Sequence, residues 1–76
     1  MVPGVPSRLL LEVFARGIRS RRQQKGWTQA VLAARSGLTQ GEVSYLEAGQ
    51  RLPTLVTLVA LLTALECSLE ALLGEP

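Results

Sequence analysis

Between residues 28 and 49 the sequence starts a helix twice with the same chemistry, and that repetition constrains the fold more than any other feature. Thr28 offers a hydroxyl oxygen to the backbone N–H groups that a helix start leaves unpaired. Trp27 before it and Leu32 after it stand at the spacing of a hydrophobic staple. Ser36-Gly37 breaks this segment, because glycine reaches the left-handed conformation of a sharp stop without steric cost. Thr39 opens the second segment. Thr39 and Glu42 have capping-box spacing, and Leu38 and Val43 repeat the staple. Gly49 closes it. Two short helices joined by a tight turn follow from these signals.

With 76 residues there is room for one domain and one modest core, and a separate sensing or catalytic domain is not expected. Hydrophobic residues make up 47% and aromatics only 4%, which suits a helical bundle filled by Leu, Val and Ala. There is no histidine and no aspartate, no serine–base pair and no phosphate-binding glycine loop, so an enzyme is not expected. The single cysteine, Cys67, excludes an internal disulfide and offers no metal-ligand spacing. It is expected to be a small core hydrophobe, with a redox sensor as the rival account. No metal and no cofactor are expected. No apolar run reaches the length of a membrane span and no signal peptide is evident, so a cytoplasmic location is expected.

The net charge of +2 hides a strong asymmetry. Residues 1–38 hold seven basic side chains (Arg8, Arg16, Arg19, Arg21, Arg22, Lys25 and Arg35) against one acid, Glu12, a net charge of +6. Residues 39–76 hold Arg51 against five acids (Glu42, Glu47, Glu66, Glu70 and Glu75), a net charge of −4. One end of the fold is thereby suited to a polyanion, although a solvated basic helix face would look the same.

Taken in order, residues 1–7 read as a flexible N-terminal arm, with an ordered lead-in as the alternative, and residues 8–74 as a single domain. Ser7 is placed to cap a first helix over about Arg8 to Gln24. Leu10 or Leu11, Phe14 and Ile18 share one face of it, and Arg22 continues that row toward the core. In helix two, Val31, Leu32 and Ala34 are assigned to the core, with Ala33 allowing close approach. In helix three, Val43, Leu46 and Glu47 point inward, and Gln40, Gly41, Ser44 and Tyr45 point outward. Thr54 caps a fourth helix over about Leu55 to Leu65, and Ser68 a short fifth over about Leu69 to Leu73.

The fourth helix is greasy on almost every side. Leu55, Leu58, Val59 and Leu62 form one stripe, and Val56, Leu61 and Leu65 lie off it. A helix apolar all round is buried all round. So small a chain cannot do this alone, and a symmetric homodimer is the commonest solution. Leu61, Leu65, Leu69, Leu72 and Leu73 are the candidates for the dimer surface, the alternative being that they only close the core.

Several pieces now fall in a familiar order: Ile18-Arg19-Ser20-Arg21-Arg22-Gln23-Gln24-Lys25-Gly26-Trp27-Thr28-Gln29, Leu32-Ala33, Ser36-Gly37-Leu38, Val43-Ser44-Tyr45-Leu46-Glu47-Ala48-Gly49, Arg51-Leu52-Pro53 and Ala64-Leu65. From about Ile18 to Leu73 the chain resembles the Xre/Cro/C1 family of helix-turn-helix DNA-binding domains. Its compact layout is similar to restriction–modification controller proteins and small phage-type repressors. The resemblance implies an all-α, five-helix lambda-repressor-like domain with helix three, about Gln40 to Ala48, in the major groove of DNA.

The resemblance also implies roles. Gln29, at the start of helix two, matches a residue that meets a backbone phosphate at the positive end of a helix. Gln40 matches a base-reading position, and glutamine suits adenine because its amide pairs with N6 and N7 together. Gly41 holds a second base-reading position without a side chain to read with. Tyr45 can reach a thymine methyl or a phosphate, or pack on helix two. Thr39 stands among the phosphate contacts. Ser44 and Arg51 are placed for phosphates, with plain surface roles as alternatives. Arg19, Arg21 and Lys25 are expected to add long-range attraction. Ala48 replaces the polar or basic residue often found before the closing glycine. Arg22 and Glu47 both point inward and match an arginine–glutamate pair that joins helices one and three. Glu42 belongs to capping, and Arg35 to the end of helix two, where the helix dipole favours a cation.

The expectation is a sequence-specific transcriptional regulator, repressor or activator, that binds double-stranded DNA as a homodimer. The rival is an antitoxin-like interaction module, whose apolar helices four and five would cover a toxin or a second regulator.

Overall fold

The structure, a computed structural model, describes residues 7–75. Residues 1–6, most of the expected arm, lie outside the described residues. Among the described residues five helices occur in the order α1 (Ser7–Gln24), α2 (Gln29–Ser36), α3 (Gln40–Glu47), α4 (Leu55–Leu65) and α5 (Leu69–Leu73), and their fold is all-α. Ser7, expected just outside the first helix, is its first residue. Among the described residues no helix is long and apolar enough to cross a membrane.

The four later helices each begin at a side-chain hydroxyl. Thr28 accepts from the Val31 N–H, Thr39 from Glu42, Thr54 from Thr57 and Ser68 from Ala71. Such a cap stabilises a helix by about 1 kcal/mol, a large effect for segments as short as these. At Thr39 the capping box is complete, since the Glu42 carboxylate accepts from the Thr39 N–H at 2.9 Å and the Thr39 hydroxyl from the Glu42 N–H at 3.0 Å. Gly37 ends α2 at φ 76°, and its N–H bonds to the Ala33 carbonyl. The turn between α2 and α3 therefore follows the sequence signals residue by residue.

Ile18 of α1, Leu32 and Ala33 of α2, Val43 and Leu46 of α3, Leu61 and Leu65 of α4 and Leu72 of α5 form the core. Phe14, Trp27, Leu38, Leu58 and Leu62 pack around them. Two expectations about facing are corrected. In α2, Val31 and Ala34 are exposed, and Leu32 and Ala33 take the buried place. Because α2 is wedged between α3 and α4, its inward edge centres on Leu32 and Ala33, and the residues on either side rotate about 100° outward.

In α4 the inward edge is Leu61 and Leu65, flanked by Leu58 and Leu62 of the expected stripe, whereas Leu55 and Val59 of that stripe are exposed. Leu61, Leu65 and Leu72, expected on a dimer surface, are 0%, 2% and 0% exposed and belong to the protomer's own core. Of the remaining candidates, Leu69 is exposed and Leu73 half-buried. The apolar surface left open by α4 is instead Leu55, Val56 and Val59, at 76%, 81% and 55% exposure.

α5 lies across α1 at Gly17, where a Cβ would overlap the Leu72 carbonyl. Beyond it, the Glu75 carboxylate returns to α1. It contacts Arg21 Nε at 2.6 Å and accepts from Ser20 Oγ at 3.1 Å and Gln24 Nε2 at 2.9 Å. Glu66 reaches Lys25 at 2.9 Å. The acidic half of the sequence thus folds back onto the basic half. Arg21 and Lys25 are thereby committed to carboxylates.

Candidate nucleic-acid interface

The geometry of α3 is set from behind. Glu47, on its last turn, is buried, with a side chain only 3% exposed. Its Oε2 accepts from Arg22 Nε at 2.7 Å and its Oε1 from Arg22 Nη2 at 2.9 Å. Arg22 Nη1 donates to the Trp27 carbonyl at 2.7 Å, which ties the same guanidinium to the entry of α2. The bond to the Glu47 carboxylate also holds the Arg22 proton more firmly than in free arginine. The arginine–glutamate pair expected from the sequence is present, with bidentate geometry.

Gln29 is drawn into the same cluster. Its Nε2 donates to Glu47 Oε1 at 3.1 Å, an engagement that the sequence does not reveal. The carboxylate of α3 therefore gathers donors from α1 and α2 at one point. Only the tertiary fold brings position 29 to the pair formed by 22 and 47, so no local signal could have shown the engagement of Gln29.

With Val43, Leu46 and Glu47 turned inward, the opposite edge of α3 is free of structural duty. Gln40, Gly41, Ser44, Tyr45 and Ala48 are all exposed. Thr39 is exposed at the helix start and committed to its cap. Hydrogen bonds from the Thr39 backbone and hydroxyl hold the Glu42 carboxyl below the usual carboxylate range, with Arg51 adding to the effect. Glu42 is thus an ionised cap, as its spacing from Thr39 implies.

Arg51, in the loop after α3, places its guanidinium 5.9 Å from the centre of the Tyr45 ring. The two side chains are neighbours at the outer reach of a cation–π contact. Arg35 has a partner that its sequence position did not suggest. It lies 5.0 Å from the Trp27 ring centre, and Lys25 lies 5.2 Å from the same centre. Cys67 is half-buried, and burial pushes its thiol up, away from the reactive thiolate.

The α2–turn–α3 unit, with one helix edge buried by the other and the opposite edge open, has its counterpart in known proteins. Residues 18–72 match the helix-turn-helix family. The chain belongs to that family. It is of the Xre/Cro/C1 type within it, and its fold is the DNA-binding fold of helix-turn-helix transcriptional regulators. An uncharacterized HTH-type transcriptional regulator, y4dJ of Sinorhizobium fredii, is 49% identical over 47 residues, which is 62% of this chain. That stretch spans 61% of the length of y4dJ. Among solved structures, the restriction–modification controller protein C.AhdI of Aeromonas hydrophila superposes with a TM-score of 0.77 at 39% identity, over 82% of this chain and 94% of that one. A point mutant of the controller protein C.Esp1396I superposes with a TM-score of 0.73 at 34% identity, over 78% of this chain and 77% of that one. This helix-turn-helix chain is controller-like in its five-helix architecture as well as in its motif.

Proposed function

We propose that this protein is a transcriptional regulator, not an enzyme, that binds duplex DNA as a homodimer with α3 in the major groove. The observation that carries the reading is the outward edge of α3. Its side chains take no part in the core, whereas every anchor of the helix, from Thr39 and Glu42 at one end to Glu47 at the other, is spent on orientation. Gln40 and Tyr45 face base edges in this arrangement. Thr39, Ser44 and Arg51 lie where backbone phosphates pass, and Gln29 offers the remaining amide proton of a side chain already fixed by Glu47. Gly41 contributes no readout of its own, so DNA shape supplies part of the specificity.

The partner copy docks on the exposed Leu55, Val56 and Val59 of α4. Three adjacent aliphatic side chains this open to water favour association. Half-sites about one helical turn apart are the spacing expected of a two-fold helix-turn-helix dimer. A foreign protein covering the same patch is the second reading, and it rests on the same exposed residues.

Selection of random duplexes by the purified protein tests the proposal. An enriched inverted repeat with half-sites about one turn apart supports it. Binding that falls steeply with salt and enriches no sequence reduces it to phosphate attraction. A protein that retains no duplex at moderate salt and stays monomeric sinks it in favour of the partner reading.

A further inference from the structure

The folded chain sorts its basic residues into paired and open ones. Arg22, Arg21 and Lys25 are held by Glu47, Glu75 and Glu66. Arg35 and Arg51 lie against aromatic rings. Arg16 is exposed and makes no ion pair, hydrogen bond or ring contact among the described residues. Arg19, also exposed, spends a single donor, Nη1 to the Glu47 backbone carbonyl at 3.3 Å.

These two arginines stand one turn apart on α1 and line a groove with Glu12, Ala15, Glu47, Ala48 and Gly49. Ala48 follows Ser44 by four residues and Gly41 by seven, so all three share one edge of α3. The open edge of α3 therefore runs directly into the groove. The groove is walled there by Ala15, Ala48 and Gly49, and no bulky side chain closes it. A rod-shaped polyanion lying along α3 passes the arginines at the helix's C-terminal end. Arg19 is already anchored at that end, and its remaining guanidinium N–H groups are available to an acceptor. Arginine matches the oxygens of a phosphate better than lysine does, through paired parallel hydrogen bonds. Of the two glutamates lining the groove, Glu47 is already held by Arg22, which leaves Glu12 facing Arg16 and Arg19.

We propose that Arg16 and Arg19 hold a backbone phosphate of the bound duplex beside the C-terminal end of α3. The contact sets position and affinity and reads no base. It supplies from α1 the charge that Ala48 does not supply from α3. The inference rests on the duplex-binding reading, and its test separates the two.

The measurement is the affinity of the whole chain for a selected duplex and for a scrambled one, across about 50 to 200 mM salt. Arg16→Gln with Arg19→Gln is expected to weaken both duplexes alike and to lower the slope of log K against log[salt] by about 0.9 for each phosphate no longer neutralised. Arg19→Lys keeps the slope. Glu12→Gln tightens both duplexes. Arg16→Gln alone removes no internal contact, so its effect is independent of folding, and circular dichroism checks the double variant. Unchanged affinity and slope in the arginine variants, with Gln40→Ala abolishing discrimination between the duplexes, overturns this inference and leaves the regulator reading standing. No duplex binding by the unaltered chain overturns both.

Discussion

Glu47 of α3 closes a fork-to-fork contact with Arg22 of α1, at 2.7 and 2.9 Å, twenty-five residues away in sequence. The pair is nearly dry, with side-chain exposures of 12% for Arg22 and 3% for Glu47. A charge in that position is costly without its partner and well supported with it.

Glu47→Gln is therefore expected to lower unfolding stability by about 3 kcal/mol, the lower part of the range for breaking a buried pair, because Arg22 keeps the Trp27 carbonyl. Replacing both partners, Arg22→Met with Glu47→Leu, is expected to recover most of that loss, since apolar packing removes the stranded charge. Urea denaturation of the two variants checks both statements. Equal stability of Glu47→Gln and the unaltered chain would show that the pair adds nothing.

Gly17 is the point where α1 and α5 touch. Gly17→Ala places a methyl group against the Leu72 carbonyl, and backbone cannot yield as a flexible side chain does. A destabilisation of about 1–3 kcal/mol is expected, the usual cost of overpacking. Hydrogen exchange should show faster opening of residues 69–73 while α2 and α3 stay protected.

Gly41 behaves oppositely. A Cβ there meets nothing nearer than the Thr39 hydroxyl oxygen at 3.9 Å. Gly41→Ala is expected to stabilise the fold by about 0.5–1 kcal/mol through the gain in helix propensity. A lower melting temperature for the variant would contradict this account.

The apolar face of α4 gives a sharp test of association. Val56 is 81% exposed within the protomer, so Val56→Glu leaves the core intact. Sedimentation is expected to show a folded monomer in place of the proposed dimer. A variant that still sediments as a dimer places the interface elsewhere.

Acidification acts through the caps and the surface pairs. Glu42 is lowered by its bonds from Thr39, and Glu66 by its bond from Lys25. Each has a folded value below its unfolded one. The unfolded chain consequently takes up protons first, and the stabilisation, complete above the ordinary carboxylate value, is lost as pH falls through the folded value. Glu42→Gln keeps a capping-box residue and removes the titration. Its stability profile should be flatter on the acid side, and an unchanged acid limb would remove Glu42 from the explanation.

Much of this architecture is legible in the chain because its signals are local. Thr28, Gly37, Thr39, Glu42 and Ser68 act within one turn of their own position, and the helix limits follow them closely. The pair Arg22 and Glu47 is legible for a different reason, since each continues an inward row on its own helix. What the sequence hides is rotation. α4 carries aliphatic residues on every side, so its pattern does not say which edge faces Leu32 and Leu72. That is why Leu61 and Leu65 change places with Leu55, Val56 and Val59. Pairings such as Gln29 with Glu47, or Arg21 with Glu75, depend on where helices cross, and no spacing along the chain encodes them.

The division of labour on α3 has an evolutionary consequence. Its anchors sit at the two ends and on the inner edge, and Gln40, Gly41, Ser44 and Tyr45 hold nothing in place. Those positions can mutate almost independently of folding, so new target sequences can be explored one substitution at a time. The scaffold tolerates such drift because the residues that orient α3 and the residues that would choose its target are different residues.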